Sequence, residues 1–285
     1  MVLVTFLWSI AGVVSRHLES ARSFEVTFWR SAFNAAALFV ALGTGRGPRR
    51  LGRLRSAPWP VWVSGACWAV MYTAFMVAIT LTTVANVLVA MAVGPLATAL
   101  AARVLLRHRL PVRTWLAVAV AGLGIAWMFG HEAGSGASLV GSLVALAVPL
   151  AAAANWLVLQ QAAGRQAGQG PDMLPAVLIG ALLSAAATLP LAWPFGASLH
   201  DLALLALLGV VQLALPCLIV VRLSRELPAP EIALLGLLEV LFGVAWAWLG
   251  AGERPDAATL VGGTLVLGAL AANEALALRD RLRRA

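Results

Sequence analysis

The residues EIALLGLLEVLFGVAWAWLG, 231 to 250, form one of ten apolar runs that follow one another along the chain with only short polar breaks. No other feature limits the fold as much. A run of about 20 apolar residues, rising 1.5 Å per residue as a helix, matches the roughly 30 Å hydrocarbon core of a bilayer. Lipid offers the backbone no water to bond to, so such runs must close their hydrogen bonds internally. They fall at approximately 1 to 15, 26 to 43, 59 to 80, 84 to 106, 113 to 130, 138 to 163, 173 to 192, 201 to 222, 231 to 250 and 257 to 278. The expected fold is therefore all-α, a polytopic membrane protein of ten transmembrane helices. With 61% apolar and 11% charged residues among 285, little sequence remains for a soluble domain. The chain opens MVLVTFLWSIAGVVSRH, without the basic region of a signal peptide, and reads as a first membrane helix.

The net charge of +8 comes from arginine alone, in short loops and in the tail RDRLRRA. No basic face carries interleaved aromatic residues, so nucleic acid is not an expected partner. With a cytoplasmic N-terminus, the inside loops hold Arg46, Arg49, Arg50, Arg53, Arg55, Arg103, Arg107, Arg109, Arg113, Arg165, Arg222, Arg225, Arg279, Arg281, Arg283 and Arg284. The outside loops hold Arg16, Arg22 and Arg254, and Arg30 lies within a helix. This asymmetry predicts both termini on the cytoplasmic side and agrees with an even helix count. Cys67 and Cys217 lie in apolar segments and read as small core residues, with no metal or cofactor site suggested.

At an offset of 144, TTVANVLVAMAVGPLATALAARVLLRHRLPVRTWLAVAVAGLG lies over LPAPEIALLGLLEVLFGVAWAWLGAGERPDAATLVGGTLVLG, so that Pro111 falls on Pro255 and Gly124 on Gly268. Two repeats are expected, 1 to 130 and 131 to 285, each of five helices. Five is odd, so the second repeat enters the membrane inverted. Inverted repeats that enclose a site near the bilayer midplane characterise secondary transporters.

Several stretches resemble the drug/metabolite transporter superfamily, in its EamA-type branch of ten helices. They are SFEVTFWRSAFNAAALFVAL, AVGPLATALAARVLL, LPVRTWLAVAVAGLGIAWM and GERPDAATLVGGTLVLGALAA. Within that branch the chain looks closest to the bacterial YddG-type amino-acid exporters. The resemblance implies export of small neutral or aromatic amino acids and related metabolites by alternating access. The alternative is an exporter of drugs or other amphipathic metabolites. It implies a small-molecule substrate, a lipid bilayer as surroundings, no cofactor, and a monomer or a dimer. Two departures stand out: Glu239 where the family often keeps a proline in the ninth helix, and LLRHR where it often keeps an acid at the end of the fourth.

A charge at mid-bilayer costs several kcal/mol, so an intramembrane ionisable group is by default a functional candidate. Glu239 either faces a cavity or ties the ninth helix to a neighbour through a hydrogen-bonded carboxyl. Arg30 is a candidate for a substrate carboxylate or an ion pair, against a structural arginine or one that snorkels to the headgroups. The other substrate-site candidates lie at depth in their helices: Trp8, Ser9, Tyr72, Met76, Met91, Asn155, Trp156 and Gln212. Trp68, Tyr72 and Met76 recur every four residues and share a helix face. For each of these, packing between membrane helices is the alternative. Trp59, Trp62, Trp115 and Trp193 sit at helix ends, as interfacial anchors do. The breaks TTVAN and LPAPE are expected hinges, and Pro216 an expected bend in the eighth helix.

Enzyme and channel readings find little support. His17, His108, His131 and His200 lie in loops or at helix ends, and no GxSG, HExxH or paired Asp motif occurs at depth. Without a GxxxxGK[ST] motif, ATP is not the direct energy source.

Overall fold

The computed structural model describes residues 1–44, 56–106, 111–132, 136–163, 171–227 and 229–282. Among the described residues all regular structure is helical. The first half contains α1 (Val2–Ser15), α2 (Ser23–Gly43), α3 (Trp59–Leu81), α4 (Val84–Met91), α5 (Gly94–Leu106) and α6 (Val112–Glu132). The second contains α7 (Gly136–Ala145), α8 (Ala147–Ala163), α9 (Leu174–Ala192), α10 (Leu199–Leu207), α11 (Leu215–Leu223), α12 (Ala229–Ala251) and α13 (Ala257–Leu282). A π-helical stretch, Leu208–Ala214, joins α10 to α11.

Among the described residues, six helical segments are long and apolar enough to cross a membrane: Phe24–Gly43, Trp59–Leu81, Val84–Val104, Leu139–Ala163, Leu174–Ala192 and Leu199–Leu223. Val2–Ser15 is a shorter apolar helix, and Val112–Gly124, Leu235–Ala251 and Ala257–Asn273 are shorter apolar stretches within α6, α12 and α13, which run over 21, 23 and 26 residues. The expected all-helical class is thus observed. Leucine side chains such as Leu123, Leu182, Leu183, Leu189 and Leu260 cover the outside of the bundle, as lipid requires. Trp59, Trp62, Trp115 and Trp193 are exposed at helix ends. Much of the arginine asymmetry, namely Arg46, Arg49, Arg50, Arg53, Arg55, Arg107, Arg109, Arg165, Arg283 and Arg284, lies outside the described residues, as do His108 and Pro228 of the expected hinge LPAPE.

Long contacts organise the bundle. The helix α9 packs along both α2 and α3, α1 along α12, α3 along α8, and α6 along α13. The last pair brings Gly124 close against the backbone of Gly262, and Thr114 donates to Asn273 across it.

One end of the bundle is tied by charge and backbone together. Arg16, just past α1, donates to the carbonyls of Ile79 (3.0 Å) and Thr82 (2.9 Å) and pairs with Glu253 at 3.2 Å. Glu253 in turn accepts from the amide of Val84 at 2.8 Å. Three interhelical turns are thereby held at one point. Beside it, two buried carboxylates each bind the other's loop. Asp201, at the start of α10, accepts from the amides of Glu19, Ser20 and Ala21. Glu25, at the start of α2, accepts from the amides of Gly196 and Ala197 at 2.9 and 2.8 Å. Hydrogen bonds to a buried charged group are worth more than neutral ones, and losing the acceptor leaves the donors unpaired. Asp201→Asn, which keeps the shape but removes half of the acceptor capacity, is expected to destabilise the protein by about 2 kcal/mol. A thermal melt in detergent checks this: the midpoint should fall by several degrees, and an unchanged midpoint would mean that the clasp adds no net stability.

Candidate functional site

Three irregular stretches lie against the middle of the bundle, and each has a proline as its cause. Proline lacks the N–H that would bond to the carbonyl four residues back. Pro95 follows the break between α4 and α5 at Ala92 and Val93, and Pro149 follows the break between α7 and α8 at Leu146. Pro216 follows the π-helical stretch, where the amide of Leu215 bonds to the carbonyl of Val210, five residues back. The bend expected at Pro216 takes this form, a widened turn.

Around these stretches are two adjoining chambers that share Trp8, Met71, Met91, Val148 and Glu239. The first is almost wholly apolar. Gly94 and Pro95 at the α4–α5 break, Pro149, Ala152 and Trp156 on α8, and Ile232, Gly236 and Leu237 on α12 line it. The second holds the polar groups: Arg30, Trp68, Tyr72, Phe75, Gln212 and Cys217. The Trp68 ring lies tilted to that of Tyr72 and edge-to-face with that of Trp156, 5.5 and 5.8 Å between centroids.

Arg30 does not snorkel. Its side chain is among the largest fully buried ones, and its partner is an amide instead of an acid. Gln212 Oε1 accepts from Arg30 Nε (3.2 Å) and Nη2 (2.9 Å), while Gln212 Nε2 donates to the carbonyl of Trp8 at 3.0 Å. The guanidinium lies 5.7 Å from the ring centre of Phe75. Two donors on the chamber wall, Arg30 Nη1 and Trp68 Nε1, are buried and make no hydrogen bond with the described residues. Glu239, only 9% exposed, faces both chambers and forms no ion pair with Arg30.

Two glycines set this geometry. A side chain at Gly180 of α9 would collide with Trp68 and with the carbonyl of Gly65, so its absence lets α9 press against the Trp68 face of α3. A Cβ at Gly209 would stand 2.7 Å from the carbonyl of Arg30 and 2.8 Å from the amide of Asn34. The π-helical stretch thus touches the α2 backbone beside Arg30, which brings Gln212 within reach of the guanidinium.

Of the residues singled out in the sequence, the chambers bring together Trp8, Arg30, Tyr72, Met91, Trp156, Gln212 and Glu239. Ser9, Met76 and Asn155 stand elsewhere. Ser9 donates to the carbonyl of Phe6 within its own helix, as a buried hydroxyl in a membrane helix readily does. Met76 packs in the core beyond Phe75. Asn155 accepts from Ser64 at 2.6 Å and joins α8 to α3. Sequence reasoning missed Met71, Phe75, Cys217 and the two proline breaks as wall elements. Pro95 and Pro149 were visible signals, since a proline inside a membrane helix needs surroundings that can host the freed carbonyl.

The profile of the EamA-like transporter family matches residues 1–130 and again 139–273. The chain belongs to this family, and so to the membrane transporters of the drug/metabolite superfamily. A crystal structure of another protein aligns with 97% of this chain and 96% of its own, at a TM-score of 0.64 and 22% identity. At that identity the likeness speaks for the fold alone. A comparison with curated proteins returns no match.

Because backbone atoms surround Gly209, Gly209→Ala cannot be absorbed by a side-chain shift. Overpacking of this kind costs about 1 to 3 kcal/mol. Its melting midpoint in detergent should fall well below that of Gly122→Ala, whose added methyl would meet nothing within 4 Å. Equal midpoints would overturn the close-contact argument.

Proposed function

We propose that the protein is a secondary transporter that exports small neutral and aromatic amino acids and related metabolites by alternating access around the two chambers. The observation that carries this reading is the pairing of Arg30 and Glu239 on one chamber without an ion pair between them. A buried cation and a carboxyl kept apart suit a ligand that brings both a carboxylate and an amine. Trp8, Trp68, Tyr72 and Trp156 offer an aromatic wall to its side chain.

Two inverted five-helix repeats, 1–130 and 131–285, would give this site its place between the halves. The packing supports them, because it maps onto itself when the halves are exchanged. The contact of α1 with α12 has its counterpart in α8 against α5, and that of α3 with α8 in α11 and the π-helical stretch against α1. The pairs α2 with α9 and α6 with α13 map onto themselves. In the orientation expected from the arginines, both termini are cytoplasmic, and the end tied by Arg16 and Glu253 faces outward.

A second reading, export of drugs or other amphipathic metabolites, draws on the nearly unbroken apolar lining of the first chamber. Proteoliposomes separate the two readings. Uptake of radiolabelled phenylalanine or leucine, competed by the unlabelled amino acid and measured with and without an imposed pH gradient, is expected for the first. Transport of amphipathic cations without any amino-acid uptake would sink it. Glu239→Gln should raise the KM for amino acids about tenfold, the equivalent of roughly 1.4 kcal/mol. Unaltered kinetics at normal expression would leave Glu239 as a helix-packing group.

A further inference from the structure

We infer that Gln212 is the positioning residue that turns Arg30 into a carboxylate receptor, and that the carboxylate binds between Arg30 Nη1 and Trp68 Nε1. The inference rests on the reading of the chambers as the substrate site, and adds to it which atoms choose the ligand.

An arginine carries five N–H donors in a rigid planar fork. Here Gln212 Oε1 takes one edge of the fork through Nε and Nη2, which fixes the plane of the guanidinium. A glutamine does this without cancelling the charge, as a glutamate in its place would. Gln212 is itself anchored, because its Nε2 is spent on the carbonyl of Trp8. The π-helical widening before Pro216 and the bare backbone contact at Gly209 bring it to this position. So much local irregularity serves one amide–guanidinium contact.

What the contact leaves over points to the ligand. Arg30 Nη1 and Trp68 Nε1 are both buried, both unpaired among the described residues, and both belong to side chains of the same chamber wall. Unpaired donors in an apolar wall carry a desolvation cost that only an acceptor relieves. An arginine kept solely to join helices would turn its remaining donors to carbonyls of its neighbours. A carboxylate supplies two oxygens, one for each donor, in a charge-assisted pair at the guanidinium.

Two measurements test this, and they separate it from the amino-acid reading. In proteoliposomes, phenylalanine uptake should be inhibited far better by phenylalanine than by phenylalaninamide, whose carboxylate is replaced by a carboxamide. Gln212→Leu should raise the KM for phenylalanine about tenfold and leave inhibition by phenylalaninamide unchanged. Gln212→Glu, which pairs with Arg30, should erase the preference for the acid over the amide. Trp68→Phe keeps the ring, loses the N–H, and should show the same selective loss as Gln212→Leu. If Gln212→Leu weakens both ligands equally, or neither, Gln212 does not position Arg30 and the inference falls. In detergent, phenylacetate, a carboxylate without an amine, should raise the melting midpoint of the wild type and not that of Gln212→Leu or Arg30→Leu. Stabilisation by phenylacetate without any amino-acid uptake would sink the amino-acid reading and uphold the receptor. No stabilisation by phenylacetate, with or without uptake, would overturn the receptor.

Discussion

Every backbone N–H and C=O within the lipid must find its partner inside the protein, and the rest of this structure follows from where that rule is kept and where it is broken. It is kept along the lipid-facing sides of the helices. It is interrupted at Ala92–Val93 and at Leu146 and widened through Leu208–Ala214, with a proline two or three residues past the end of each stretch withholding a donor. A freed carbonyl is tolerable only beside protein or a cavity, never beside acyl chains. The broken places therefore gather round the chambers. Irregular backbone and chambers coincide because the same interior can host both.

The charged groups obey the same rule. Arg30 is tolerated in the bundle because a neutral amide holds it, and Glu239 because it lies on a chamber wall. Their separation is a property of helix packing: α2, α3 and the π-helical stretch fix the arginine, while α12 carries the glutamate.

The helices were legible in the sequence and the site only partly so. The run 231 to 250 became Ala229–Ala251, and 173 to 192 became Leu174–Ala192, because hydropathy over some 20 residues reports directly on burial in lipid. The run 138 to 163 concealed the interruption at Leu146, since an apolar pattern cannot see a missing hydrogen bond. Depth in the helix found Arg30, Gln212 and Glu239 individually. Their mutual arrangement was beyond reach, for Arg30 and Gln212 are 182 residues apart and meet only through a close helix contact at Gly209. The same depth criterion also picked Ser9, Met76 and Asn155, which stand away from the chambers, because distance along a helix says nothing about which side a residue faces. Ser198 and Asp201 cap α10 together, and the reach of Asp201 on into the loop at 19 to 21 belongs to the fold, not to the local sequence.

That reach has a consequence for the permitted length of the chain. Connections at the surface of a protein ordinarily accept extra residues. The connection from 16 to 22 has three consecutive amides docked on Asp201, and that from 193 to 198 has two docked on Glu25. One inserted residue would move a whole set of donors out of register with its carboxylate. These two exposed connections are accordingly of fixed length, and an epitope or label placed on this end of the molecule belongs elsewhere.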